Sequence, residues 1–197
     1  TQAIIKPYPY WHPKVWKAWL TNNIQVALQS FDYDVHKSAW ADVANAAEEF
    51  NDPGKFTTFI GYEFTTSTDV EGGNLHRNVI FDSSKAPIRP WTRIDSLNPE
   101  DLWTWMDGLR DQGLDSLAMP HNSNGSNGQM FEVETFTGNA INNEYSEKRM
   151  RNEPVVEMTQ VKGTSDTHPL LSPDDEWADF EIMDKRVGSR PPTYSMP

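Results

Sequence analysis

The sequence predicts an α/β fold with mainly parallel strands joined by crossover helices. Two observations carry this prediction: apolar β-type runs alternate with helical patterns along the chain, and three of these runs begin or end on a hard or borderline metal ligand. Alternation of this kind argues for βαβ units. Ligands at strand ends suit it, because parallel α/β folds place their chemistry where separate strands converge.

The 197 residues, 37% hydrophobic, suffice for one domain with a core. We divide them into an extended entry (residues 1–13), an α/β core (14–180) and a poorly ordered tail (181–197), together making a single partial domain. Pro7, Pro9 and Pro13 each fix φ and disfavour helix in the preceding residue. Helix begins only after them, and residues 14–29 carry Val15, Trp16, Trp19, Leu20, Ile24 and Leu28 at spacings of three and four. Ser38 is placed to cap a second helix bearing Trp40, Val43, Ala47 and Phe50, ended by Asn51-Asp52-Pro53-Gly54.

Residues 56–64, rich in Phe, Thr, Ile and Tyr, read as a strand. A Ser/Thr/Gly loop follows, and residues 75–81 form the next strand. Asn98-Pro99-Glu100-Asp101 is a strong helix start: a cap, a proline at the first position and acids in the first turn. Leu102, Trp103, Met106 and Leu109 give that helix its apolar face, and Gly113 ends it. Residues 114–120 form a buried strand with His121 at its end, and the Asn- and Gly-rich loop behind it suits the lining of an active site. Residues 131–152 are weakly patterned. Residues 154–161 form a fourth strand, and Ser172-Pro173-Asp174 opens a short helix through Phe180. A closed eight-stranded barrel needs more strands than these. The sheet is therefore open, or the chain is part of a barrel.

Glu63, His76 and His121 are the candidate metal ligands and catalytic residues. The competing roles are a salt bridge from Glu63 to Arg77, a core position for His76, and solvent exposure for His12 and His36. Arg77 is a candidate clamp for a substrate anion, with a salt bridge to a nearby acid as its competing role. Asn122 and Asn124 are candidates for orienting substrate or for occupying left-handed turns. The net charge of −12 excludes a typical nucleic-acid partner. The absence of cysteine excludes disulfides and thiolate ligands, which leaves His, Asp, Glu and Asn. No apolar run is long enough to span a membrane, and the first residues lack a signal-peptide core.

Four motifs in order, Phe59-Ile60-Gly61-Tyr62-Glu63-Phe64, Asn74-Leu75-His76-Arg77-Asn78-Val79-Ile80-Phe81, Met119-Pro120-His121-Asn122-Ser123-Asn124 and Gln160-Val161-Lys162-Gly163-Thr164-Ser165-Asp166-Thr167-His168-Pro169, resemble the DUF3604 family. That family is related to the polymerase and histidinol phosphatase (PHP) metal-dependent hydrolases. The resemblance covers roughly residues 11–180. It implies part of a distorted (β/α)7 barrel and a two- or three-metal site that hydrolyses a phosphoester or a similar bond.

On that resemblance Glu63 corresponds to a metal-bridging Gly-x-Glu glutamate, and His76 and His121 to strand-end ligands. Asp166 and His168 match an Asp-x-His motif only in part, because this region of the family usually reads Ser-Glu-Thr-His-Pro. The His-x-His and Asp-His motifs expected on the first two strands are missing, so the resemblance implies an internal segment. The isolated chain is then expected to be inactive and to bind its divalent cation, Zn, Mn or Fe, weakly or not at all. The substrate would be a small molecule, the compartment bacterial periplasmic or extracellular, and exposed strand edges would favour self-association. The alternative function is a non-catalytic module whose aromatic surface binds carbohydrate or a protein.

Overall fold

A computed structural model describes residues 33–67 and 73–184. The predicted entry, the helix at 14–29 and all but the first few residues of the tail lie outside them. The chain divides into two compact units, Thr1–Ile60 with Ser83–Pro90, and Gly61–Asp82 with Trp91–Pro197.

In the first unit, helix α1 (Tyr33–Phe50) already includes Ser38, so that serine sits inside the helix and not at its cap. Trp40 is the buried anchor of α1, and its indole N–H donates to Pro87 O at 2.7 Å. Beyond α1 the chain reverses between Asp52 and Phe56, where Gly54 adopts φ +86. That left-handed conformation favours glycine.

In the second unit, β1 (Gly61–Phe64), β2 (Arg77–Phe81) and β3 (Ser116–Pro120) form a sheet in the order β1-β2-β3. Both pairings are antiparallel, with Glu63 opposite Asn78 and Arg77 opposite Pro120. The expectation of a mainly parallel sheet in part of a (β/α)7 barrel is therefore overturned. Among the described residues no barrel closes.

The physical reason lies in the path from β2 to β3. A crossover helix gives a parallel strand only if it alone carries the chain back along the sheet. Here the chain is already back at the start of β2 when it reaches Leu97: the Thr66 hydroxyl, beyond the end of β1 and beside the start of β2, donates to Leu97 O at 2.9 Å. Helix α2 (Pro99–Arg110) then travels back, and Asp82 N–H donates to Asp115 O at 3.2 Å. The two passes cancel, and β3 enters where β2 leaves.

Helix α2 begins as its sequence predicts, with the Asn98 side chain accepting from Glu100 N–H at 2.8 Å and Gly113 at φ +79 beyond its end. Leu102, Trp103 and Met106 are fully buried; Trp103 shares Glu153 Oε1 with Arg77 of β2, and Trp105 meets Phe81 edge-on. The weakly patterned region holds a further helix, α3 (Asn143–Asn152), capped by Asn142. Tyr145 meets Trp103 edge-on, with ring centroids 5.4 Å apart, and Arg151 pairs with Asp107 at 2.7 Å.

The predicted strand at 154–161 pairs only at its end, where β4 (Thr159–Gln160) forms an antiparallel hairpin with β5 (Gly163–Thr164). Pro154 has no N–H to give a ladder, and Glu157 N–H goes singly to Pro120 O. The segment predicted as helix up to Phe180 is a series of turns closed by i→i+3 bonds, such as Ala178 N–H to Asp175 O.

Candidate metal centre

Three adjacent strands deliver the three predicted ligands. Glu63 is the third residue of β1, His76 precedes β2 and His121 follows β3. His121 N–H donates to His76 O at 3.2 Å, which extends the β2–β3 ladder by one residue and sets the two histidines opposite each other. Side chains alternate across a strand. Asn78 and His76 therefore share one face of β2, and Glu63 joins them from its register position opposite Asn78.

Nδ1 of His76 lies 3.1 Å from Oε1 of Glu63, and Nε2 of His121 lies 3.6 Å from the same oxygen. The imidazoles meet edge-on, with centroids 5.7 Å apart, and one ligand atom from each residue lies within 4.8 Å of the others. Ligands held at ~2.0–2.2 Å from one cation lie roughly 3.0–3.4 Å apart in octahedral or tetrahedral geometry. The 3.1 and 3.6 Å spacings to Glu63 lie near that range, and the widest spacing, within 4.8 Å, would have to close for one ion to reach all three.

His121 supplies a second test of fit. It is 6% exposed, its Nδ1 is buried without a hydrogen-bond partner, and 3.6 Å from Nε2 to Glu63 is too long for a hydrogen bond. A buried imidazole left in this state is costly. Nε2 is the nitrogen that faces Glu63 and is free to take a cation, whereas the unpartnered Nδ1 lies on the other side of the ring, where a bound imidazole usually has a hydrogen-bond partner.

The electrostatics prepare the same chemistry. Burial pushes the His76 imidazole down to about 4 against the opposing pull of Glu63, with the nearby His121, Lys162 and Arg77 also lowering it. His76 is thus neutral at pH 7, with a lone pair to donate. Burial raises the Glu63 carboxyl, but the Thr65 hydroxyl, donating at 2.9 Å, the facing imidazoles of His76 and His121 and the charge of Lys162 outweigh it. The carboxyl is held below its ordinary value and is ionised.

The other candidates occupy different places. Arg77 lies on the opposite face of β2, 2% exposed, with Nε donating to Glu153 Oε1 at 2.7 Å and a further short bond to Leu75 O. Trp103 Nε1 and Arg149 also donate to Glu153, which makes the pair part of the core. Asn122 adopts φ +55 and accepts from Asn74 Nδ2 at 3.2 Å. Asn124 donates from Nδ2 to Lys162 O at 3.0 Å and from its N–H to Ser165 Oγ. Both asparagines brace the loop behind His121. Asp166 is exposed, and His168 accepts from Leu170 N–H. Neither belongs to the ligand cluster.

Two neighbours escape a reading by strand ends. Glu157 Oε1 accepts from Asn122 N–H and Gln160 Nε2, and Lys162 brings a positive charge near Glu63 and His76. The available signal for both was their place in or beside the fourth motif. Compared with known families, residues 11–196 match the model described as "Protein of unknown function (DUF3604)". Among curated proteins and among solved structures, nothing matches.

Proposed function

We propose, from the premise that the chain belongs to the DUF3604 family, that Glu63, His76 and His121 are ligands of a divalent cation in a metal-dependent hydrolase acting on phosphoester-like bonds. The observation that carries this reading is the convergence of an ionised carboxylate and two imidazoles within 4.8 Å, one of the rings buried and short of hydrogen bonds. The His and carboxylate donor set suits Zn, Mn or Fe. Three protein ligands leave a position for water, the arrangement of a catalytic site.

A cation bound there would lower the pKa of its water from about 15.7 towards ~7 and polarise the scissile oxygen. Thr65 orients the Glu63 carboxylate through Oε1. Asn122 and Asn124 hold the loop that seats His121. A kinship of this site with PHP hydrolases belongs to the same proposal and rests on the Gly-x-Glu and Pro-His strand ends. So does the internal-segment reading, on which the missing motifs would complete the centre. Among the described tryptophans, Trp40 and Trp103 are buried and Trp91 and Trp105 pack on each other, which leaves only Trp177 exposed as support for a carbohydrate-binding module. We also keep self-association in the proposal, because β1 and β3 each pair on one side of the three-stranded sheet.

Calorimetric titration with zinc, together with metal analysis of the dialysed protein, tests the centre. Wild type is expected to bind zinc weakly, at about one site per chain, and Glu63→Gln, His76→Ala and His121→Ala to lose most of that affinity. Uptake unchanged in all three variants would sink the reading. Hydrolysis of p-nitrophenyl phosphate by these 197 residues is expected to be undetectable; robust metal-dependent turnover would remove the internal-segment part and leave the hydrolase part standing.

A further inference from the structure

We propose that Lys162 is the anion-binding residue of this centre, its ammonium contacting the phosphoryl oxygens of a dianionic phosphate monoester held over Glu63, His76 and His121. This rests on the metal-centre reading above and adds the charge class of the substrate and the side chain that selects it. Lys162 stands in the two-residue turn between β4 (Thr159–Gln160) and β5 (Gly163–Thr164).

That turn is fixed against the loop behind His121. Asn124 Nδ2 donates to Lys162 O at 3.0 Å and Asn124 N–H to Ser165 Oγ at 3.0 Å, which ties the turn and the far side of the hairpin. On the near side, Gln160 Nε2 donates to Glu157 Oε1, the oxygen that also accepts from Asn122 N–H. Gly163, at φ +104, leaves no room for a side chain: an added Cβ would come 2.7 Å from Met183 Cβ and 3.1 Å from Asn124 Nδ2. Residues on both sides of Lys162 are therefore registered against those that follow His121.

The Lys162 ammonium makes no ion pair or side-chain hydrogen bond among the described residues, although its charge reaches both Glu63 and His76. A lysine in a chain of net charge −12 has many carboxylates to choose from, and one without an ion pair on a turn fastened to the loop behind His121 is placed for an incoming anion. A divalent cation, one carboxylate, two neutral ligand imidazoles and one ammonium sum to two positive charges. That total matches a phosphate monoester dianion, whereas a sulfate monoester or a phosphodiester carries a single negative charge.

The test uses inorganic phosphate above its second pKa, with the monoanion methyl sulfate as the comparison, titrated into the full chain with and without zinc. Lys162→Met keeps the length of the side chain and removes the charge; Lys162→Arg keeps the charge. Zinc-loaded wild type is expected to bind phosphate in preference to methyl sulfate. Lys162→Met should keep its zinc affinity and lose phosphate affinity by at least about tenfold, as loss of a charged hydrogen bond predicts, and Lys162→Arg should recover most of it. Equal phosphate affinity in wild type and Lys162→Met would overturn the assignment. If zinc fails to bind while Lys162→Met still weakens phosphate, the metal reading falls and the Lys162 contact stands.

Discussion

At the residue scale, the chemistry turns on neighbours with opposite fates. His76 and Arg77 are consecutive, yet one faces the ligand cluster and the other is buried against Glu153 at 2.7 Å. Breaking a buried pair by removing one partner leaves an uncompensated charge and costs about 3–5 kcal/mol. Arg77→Met is therefore expected to lower unfolding stability by that order in urea titration while changing zinc affinity little. His76→Ala should do the reverse. Equal effects of the two variants on zinc binding would contradict the division of labour between the two faces.

At the element scale, helix α2 is the part of the fold most fully legible in the sequence, because Asn98, Pro99, Glu100 and Asp101 each act locally. Asn98→Ala removes the bond to Glu100 N–H and should cost about 1 kcal/mol in thermal or denaturant unfolding. The direction of the strands was not legible in the same way. A helix between two strands suggests a parallel crossover, and the return pass before it is visible only through the Thr66–Leu97 contact, 31 residues apart in sequence. Helix α3 escaped notice because Asn143–Asn152 is almost wholly polar; its place is set by tertiary contacts to Trp103 and Asp107. Glu63, His76 and His121 were legible because each stands beside a conspicuous apolar run. Lys162 was not, because a turn has no period to reveal which residues face a distant strand.

At the scale of the whole molecule, stability should depend on acid in a defined way. Burial raises the Asp107 carboxyl, but bonds from Arg151 and Asn152 and the charge of Arg110 outweigh it and hold it below the ordinary carboxylate value of 3.8. A carboxyl depressed in the folded state contributes stability that is present above its unfolded pKa and lost as pH falls through the folded one. The difference in unfolding free energy between wild type and Asp107→Asn should accordingly be largest above pH ~4 and shrink below it. A gap unchanged between pH 6 and pH 3 would show that the carboxylate charge contributes nothing.

The antiparallel pairing of β2 with its neighbours has one more consequence, for the tolerance of the chain to insertion and deletion. Side chains alternate with a period of two, so sliding a strand by a single position exchanges its faces. For β2 the exchange would bring the Arg77 guanidinium beside Glu63 and His121 and drive the His76 imidazole towards Glu153. The core would lose its cation and the ligand cluster would gain an unwanted one. A deletion within residues 73–76 thus carries a double penalty that the same deletion in the 132–141 loop escapes, and the alternation of two adjacent residues guards the sheet against misalignment.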